Sequence, residues 1–178
     1  EYAPNLKLIA HAAGSVRNIV SEQVWERKIR VTSAAPIISE DVAETVLGLI
    51  IVSLKRIWEL SEFTRSGGWN EETGIAEKKS LFGLKIGIIA ASHCGRNLIS
   101  YLKPFSPDIR VYDPFLDEKR AQDLGVTKVS LDELMAECDV VTVHAPALPS
   151  TYHMINKDNL RLMKDGAVFI NTSRGLLV

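Results

Sequence analysis

Apolar residues fall into two regimes along this chain. Up to about residue 68, short apolar runs give way to one long stretch in which apolar positions recur every three to four residues. Residues 6–10 and 29–32 read as short strands, separated by the small-residue loop 12–15 and by a short helix over 20–27, where Val20, Val24 and Trp25 share a face. Pro36 breaks the pattern. Ser39 then reads as a helix cap, with Glu40 and Asp41 favourably placed in the first turn. Val42, Val46, Leu49, Ile50, Ile57 and Leu60 carry the apolar stripe on to a stop at Gly67-Gly68. The pattern predicts one helix over 39–66, ~40 Å long at ~1.5 Å per residue. It is apolar on more than one side, a form suited to bridging domains or packing against a second subunit.

After Gly83 the rhythm changes. Nearly continuous apolar runs at 85–90, 109–112, 126–129, 140–144 and 167–171 read as strands. Between them lie helical segments at 94–102, at 117–124 closed by Gly125, at 130–137 opened by a Ser130/Glu133 capping box, and at 156–163. This alternation predicts an α/β fold of the Rossmann type: a doubly wound parallel sheet with helices on both faces. Strands apolar at almost every position agree, because both faces of such a sheet are buried.

Composition narrows the function classes. With 46% hydrophobic and 24% charged residues, the 178-residue chain is neither disordered nor a collagen-like repeat. Twenty-one basic against 22 acidic residues leave a net charge of −1, without the basic excess of a nucleic-acid binder. Cys94 and Cys138, 44 residues apart, make neither a disulfide framework nor a metal-ligand set, so reduced thiols in a cytoplasmic protein are expected, with no metal. The longest apolar run, 46–54, is broken by Gly48 and Ser53 and falls short of the ~20 residues of a membrane span. No signal peptide opens the sequence. Because it begins at Glu1 and stops at Val178 just after an apolar strand, it is expected to be a piece of a longer protein.

In a doubly wound sheet, ligands bind beyond the carboxyl ends of the strands. Four such ends carry chemistry. The turn after the 85–90 strand runs A-A-S-H-C-G, where a dinucleotide fingerprint has G-x-G-x-x-G; Ala90 and Ser92 replace two glycines and only Gly95 remains. The context of strand, small-residue turn and helix still fits: the amides of His93 and Cys94 point at a phosphate, and Ser92 offers a hydroxyl. Asp113, followed by Pro114, ends the next strand 18 residues after Gly95, near the ~20 expected for a carboxylate holding ribose hydroxyls; its charge favours NAD over NADP. The third end carries His144, Pro146 and Thr151, and the fourth N-T-S-R-G, where Arg174 suits a bidentate grip on a carboxylate. Each feature alone has an ordinary reading: a strand–helix turn, an Asp–Pro turn, a strand-end histidine, a solvated loop arginine. His11 and His153 read as surface or loop histidines.

Together these residues resemble the D-isomer-specific 2-hydroxyacid dehydrogenases, over nearly the whole chain. The opening P-N-L-K-L-I-A-H-A-A-G-S-V-R-N-I is similar to the family's last substrate-domain strand and loop, and E-D-V-A-E to its crossing into the NAD domain. A-E-C-D-V-V-T-V-H-A-P-A-L-P-S-T-Y-H-M-I-N and M-K-D-G-A-V-F-I-N-T-S-R-G-L-L-V match the family pattern almost position by position. The resemblance implies a substrate-domain remnant at 1–36 and a truncated NAD-binding domain at 37–178. It implies that His93, Cys94 and Gly95 line the pyrophosphate, that Asp113 holds the adenine ribose, and that His144, Ala145, Pro146 and Thr151 flank the adenosine half. Thr172, Ser173 and Arg174 would reach the nicotinamide, with Arg174 also the catalytic arginine that orients and polarises a 2-oxo acid. Backbone amides near Gly14 and Ser15 would hold the substrate carboxylate, and the 39–66 helix would form a homodimer interface.

Departures matter as well. The family's usual G-V-G-V-D reads A-G-S-V-R here, so Arg17 adds a positive charge where an acid is common. The family's catalytic Glu and His lie beyond the position matching Val178, so the 178 residues alone are expected to have no useful turnover. The expected function is hydride transfer between NAD and a small D-2-hydroxy acid or its 2-oxo acid. A non-catalytic, NAD-sensing corepressor-like relative is the alternative, and a methyltransferase sharing the parallel sheet ranks last because it gives N-T-S-R-G no role.

Overall fold

The first strand pair stands apart from the main sheet. In the computed structural model, which describes residues 3–69 and 77–178, β1 (Leu8–His11) and β2 (Arg30–Ser33) pair in parallel, Leu8 opposite Arg30 and His11 opposite Ser33. The short helix α1 (Glu22–Glu26) makes the crossover. Two long elements follow, α2 (Ala35–Leu54) and α3 (Ile57–Arg65).

These two replace the single helix expected over 39–66. The chain turns at Arg56, which takes a left-handed conformation (φ +54°), and Lys79 N donates to Leu54 O at 3.0 Å. The buried stripe Ala43, Val46, Ile50, Leu54 ends at that point; Ile57 and Trp58 are about half exposed. Three-residue spacing carried the pattern across the break, because spacing alone does not tell a buried apolar residue from an exposed one. Ser39 is not the cap either. Pro36 sits in the first helical turn, where its missing N–H and fixed φ are tolerated, so it starts α2 instead of breaking it. Ser39 lies inside α2, donating to Pro36 O and accepting from Asn97 Nδ2 at 3.0 Å. That hydrogen bond ties α2 to α4 (His93–Leu102).

The main sheet holds β3 (Lys85–Ile89), β4 (Asp108–Tyr112), β5 (Thr127–Lys128), β6 (Val140–Val143) and β7 (Val168–Asn171), all parallel, in the order β5-β4-β3-β6-β7. Helices α5 (Glu118–Leu124), α6 (Leu131–Glu137) and α7 (Lys157–Leu160) complete the alternation. The first strand of the sheet is therefore central, and strand order reverses between β3 and β6. A dinucleotide-binding sheet has its crevice at such a switch point.

Core packing follows from β3. Ile86 and Ile88 join the cluster under α2 and α4 with Val46, Ile50, Leu98 and Leu102, whereas Ile89 joins Leu134, Met135, Val141 and Ile155 on the other face. Gly87 lies under α6, where a Cβ would meet Leu134 Cδ2 at 2.5 Å, so a larger residue would force the Leu134 side chain to shift. Local capping signals hold: Asp117 accepts from Arg120 N at 2.7 Å, and Gly125 closes α5 at φ +72°. Ser130 accepts from Glu133 N, one arm of the expected capping box; the return bond, from Ser130 N to the Glu133 side chain, is not formed. The 156–163 segment is shorter than expected, with only Lys157–Leu160 α-helical behind an Asn156/Asn159 capping box. No helix among the described residues is long and apolar enough to cross a membrane.

Candidate functional site

The carboxyl edge of the five-stranded sheet gathers most of the residues singled out above. At the end of β3, Ala90 adopts φ +76°, the conformation that glycine supplies in a tight turn. Ser92 caps α4: its Oγ accepts from Gly95 N at 3.4 Å and its carbonyl from Arg96 N at 3.0 Å. The amides of His93 and Cys94, among the first four of a helix, then have no intrahelical partner and face outward at the positive end of its dipole. Gly95 is held against the strand, since a Cβ there would meet Ala90 O at 2.3 Å. Burial pushes the Cys94 thiol up to about 11, so it stays protonated at neutral pH. Asp113 joins two turns: its Oδ2 accepts from Ala91 N at 2.9 Å and its Oδ1 from Phe115 N at 2.8 Å. Pro114 beside it is exposed.

Across the switch point, His144 extends β6, its N–H donating to Ile89 O at 2.9 Å. Its side chain is buried, with Nε2 3.1 Å from Thr142 Oγ1, and burial pushes its pKa down to about 4. It is therefore neutral at physiological pH. Ala145 is buried and Pro146 exposed. Thr151 folds the loop that follows, its Oγ1 donating to Pro146 O at 2.6 Å and accepting from Leu148 N at 2.8 Å. After β7, Ser173 Oγ donates to Val143 O at 2.8 Å, while Asn171 accepts from Ser173 N and donates to Arg174 O, both at 3.0 Å. This fixes the backbone that presents the exposed Arg174. The Thr172 hydroxyl is, among the described residues, the one buried side-chain polar atom with no partner. Beyond β1, nothing lies within 4 Å of a Cβ built on Gly14, and Ser15 Oγ accepts from Arg17 N at 3.4 Å. Arg17 Nη1 reaches across to Ala147 O.

A cleft of about 990 Å³ brings together Ser15, His144, Ala145, Pro146, Thr151, Ser173 and Arg174. Ser92, His93, Cys94, Gly95, Asp113, Pro114, Thr172 and Gly14 are not on its wall. All but Gly14 lie at neighbouring strand ends of the same sheet edge. Asn18, Tyr152 and Leu176 also line the cleft and were not among the expected residues. Tyr152 and Leu176 are adjacent or next but one to an expected residue, and Asn18 follows Arg17, the departure noted in the substrate loop; that proximity is the one signal that would have found them.

The decisive observation is a match in sequence over this frame. The family described as D-isomer specific 2-hydroxyacid dehydrogenase, NAD binding domain, matches residues 47–178. The chain belongs to that family. A glyoxylate reductase from Thermococcus litoralis is 34% identical over the whole chain, which covers 55% of the relative. A D-3-phosphoglycerate dehydrogenase from Methanocaldococcus jannaschii is 32% identical, again over the whole chain, which covers 34% of it. Among solved structures, a D-lactate dehydrogenase from Aquifex aeolicus complexed with NAD and lactic acid superposes with a TM-score of 0.82 at 31% identity, over 98% of this chain and 52% of that one. The chain thus spans about half the length, or less, of these relatives.

As a member of the family, the chain carries its NAD-binding domain, and the geometry fits that cofactor. Unpaired amides lead α4, Gly95 is sterically obligatory, and Asp113 holds a carboxylate at the end of β4 with lone pairs to spare. The buried, unpartnered Thr172 hydroxyl adds a polar group awaiting a partner.

Proposed function

We propose that the parent of this chain interconverts a small D-2-hydroxy acid and its 2-oxo acid with NAD. The observation that carries this is the placement of Arg174 on a cleft wall beside the switch point, on the same sheet edge as the α4 amides and Asp113. His93, Cys94 and Gly95 amides, with Ser92, receive the pyrophosphate. Asp113 and Pro114 take the adenine ribose, the carboxylate accepting from its hydroxyls with the lone pairs left by Ala91 and Phe115. His144, Ala145 and Pro146 flank the adenosine half, and Thr151 acts through the loop its hydroxyl closes. Thr172, Ser173 and Arg174 border the nicotinamide, and amides near Gly14 and Ser15 hold the substrate carboxylate. The bound cofactor supplies or accepts the hydride. Arg174 orients the 2-oxo acid and polarises its carbonyl, since a guanidinium presents a planar fork to paired oxygens.

Residues 1–36 belong on this reading to the substrate domain and 37–178 to the NAD domain. In support, β1 and β2 form a sheet of their own and α2 packs on α4. A second copy of the chain docks on α2 and α3, whose exposed Ile37, Ile57 and Trp58 are otherwise left in water; sedimentation across a concentration series tests this. The free thiols Cys94 and Cys138 support a cytoplasmic setting.

Calorimetric titration with NADH, with NADPH as competitor, tests the cofactor assignment. Saturable NADH binding that Asp113→Ala weakens at least ~10-fold is expected. Equal affinity in the variant, or preference for NADPH, would overturn the assignment of Asp113.

A further inference from the structure

Thr142 interrupts an apolar strand. β6 and the residue after it run V-V-T-V-H, and Thr142 stands opposite Ile88 on β3 and Ile170 on β7, both part of the core under α2 and α4. Its side chain is fully buried. A valine would fill the same space without a polar atom. A buried hydroxyl is tolerated where it is hydrogen-bonded. Among the described residues, the one partner of Thr142 Oγ1 is His144 Nε2, at 3.1 Å.

That pair fixes where the imidazole proton sits. Burial keeps His144 neutral at physiological pH, so one ring nitrogen donates and the other accepts. Were Nε2 the protonated nitrogen, the Thr142 proton would be left in the core without an acceptor, at the full desolvation cost of an unmade hydrogen bond. With the proton on Nδ1, the hydroxyl donates to Nε2 and both groups are satisfied. Thr142 has no exposed surface, so its choice of partner does not depend on what else surrounds the cleft.

Nδ1 is placed differently. It has no protein partner among the described residues, yet it is not sealed in the core, since the Thr172 hydroxyl is the one side-chain polar atom there that is both buried and unpartnered. His144 keeps a small surface and stands on the cleft wall. Its backbone N–H joins β6 to Ile89 O at the end of β3, which is the switch point itself. A dinucleotide crossing the sheet edge there presents pyrophosphate and ribose oxygens, all of them acceptors.

We propose that Thr142 is a positioning residue of the cofactor site: its hydroxyl holds His144 in the Nδ1–H form, and that N–H donates to an oxygen of the bound dinucleotide. This rests on the NAD reading above and goes beyond it, giving the His144 side chain a donor role and the strand hydroxyl a reason.

Proton–nitrogen correlation spectra of the histidine-labelled chain, with the His144 signals identified by their loss in His144→Gln, test this beside a calorimetric NADH titration. The free chain is expected to carry the His144 proton on Nδ1, and saturating NADH is expected to shift that N–H resonance. Thr142→Val should leave the ring a mixture of both forms and weaken NADH by about 3- to 10-fold, the range for one hydrogen bond. Thr142→Ser restores the hydroxyl and should recover both. A proton on Nε2 in the wild-type chain would overturn the proposal, as would an Nδ1–H resonance that NADH leaves unmoved, or a folded Thr142→Val chain with an altered tautomer and unchanged affinity. Should Thr142→Val fail to fold, the wild-type spectra with and without NADH decide alone. A wild-type chain that binds no NADH at all removes the cofactor reading and the donor role with it, while the free-chain spectrum still tells whether Thr142 holds the proton on Nδ1.

Discussion

Ala90 takes the left-handed conformation at φ +76°, at the turn where a glycine fingerprint would begin. A Cβ in that region costs ~1–2 kcal/mol, and a glycine gives back roughly 0.5–1 kcal/mol of it as unfolded-state entropy. Ala90→Gly should therefore raise the stability by about 0.5–1 kcal/mol in urea unfolding, and an unchanged or lower midpoint would show that the turn carries no strain. His144 gives a pH effect with a definite sign. Burial lowers its pKa from 6.5 to about 4, so below pH 6.5 the unfolded chain binds a proton that the folded one refuses. Stability should fall as the pH drops from about 6.5 to about 4, by up to ~1.4 kcal/mol per unit, and be unaffected above that window. His144→Gln, neutral throughout, should flatten that part of the profile; an unchanged slope would place the titration elsewhere. The sequence marks position 90 as a departure from the glycine fingerprint and position 144 as a candidate site residue. The sign of φ at one and the burial of the other arise only when β3, β6 and α4 come together.

Elements were legible where their signals are local. Asp117, Ser130 and Gly125 act within one helical turn, and each does in three dimensions what its type and position predict. The break after Leu54 depends on Lys79 N, 25 residues downstream, and on which apolar positions find a partner, so residues near it alone carry no sign of it. Helix α7 shows the opposite case, a very short element held by side chains. Asn159 is buried, its Oδ1 accepting from Asn156 N at 2.9 Å and its Nδ2 donating to Met154 O at 2.7 Å. The same segment pairs with the cleft wall, Ile155 N donating to Leu177 O at 2.8 Å and His153 N to Leu176 O at 2.9 Å. Asn159→Ala should cost about 1 kcal/mol, because it removes the partners of two part-buried backbone groups. Hydrogen exchange at Ile155 should speed up with it; protection equal to wild type would mean that α7 is held by packing alone.

At the scale of the molecule, β4 separates stability from binding. Its carboxyl end leads to Asp113 in the candidate cofactor site, and its middle residue, Arg110, meets Asp108 at 3.2 Å, Glu133 at 3.6 Å and Glu137 at 2.9 Å. Lys85 reaches Glu137 at 2.7 Å, and Lys164 reaches Asp139 at 3.1 Å. The hydrogen bond from Lys85, and then the charge of Arg110, hold the Glu137 carboxyl below the usual glutamate range. A depressed carboxylate stabilises the fold above its unfolded pKa and stops doing so as acid protonates it in the native state. Arg110→Gln leaves three carboxylates gathered without their shared cation. The urea midpoint at neutral pH should fall, the fall should shrink with added salt because exposed charges are screened, and the decline in acid should be shallower than in wild type. NADH affinity should stay within about threefold, since Arg110 lies three residues before Asp113 along the strand and shares no hydrogen-bond partner with it. Asp113→Ala should do the reverse to affinity. An Arg110→Gln chain that loses NADH binding as it loses stability would show that the ion-pair cluster and the carboxyl edge are coupled, and that the cofactor site depends on the body of the sheet as well as on that edge.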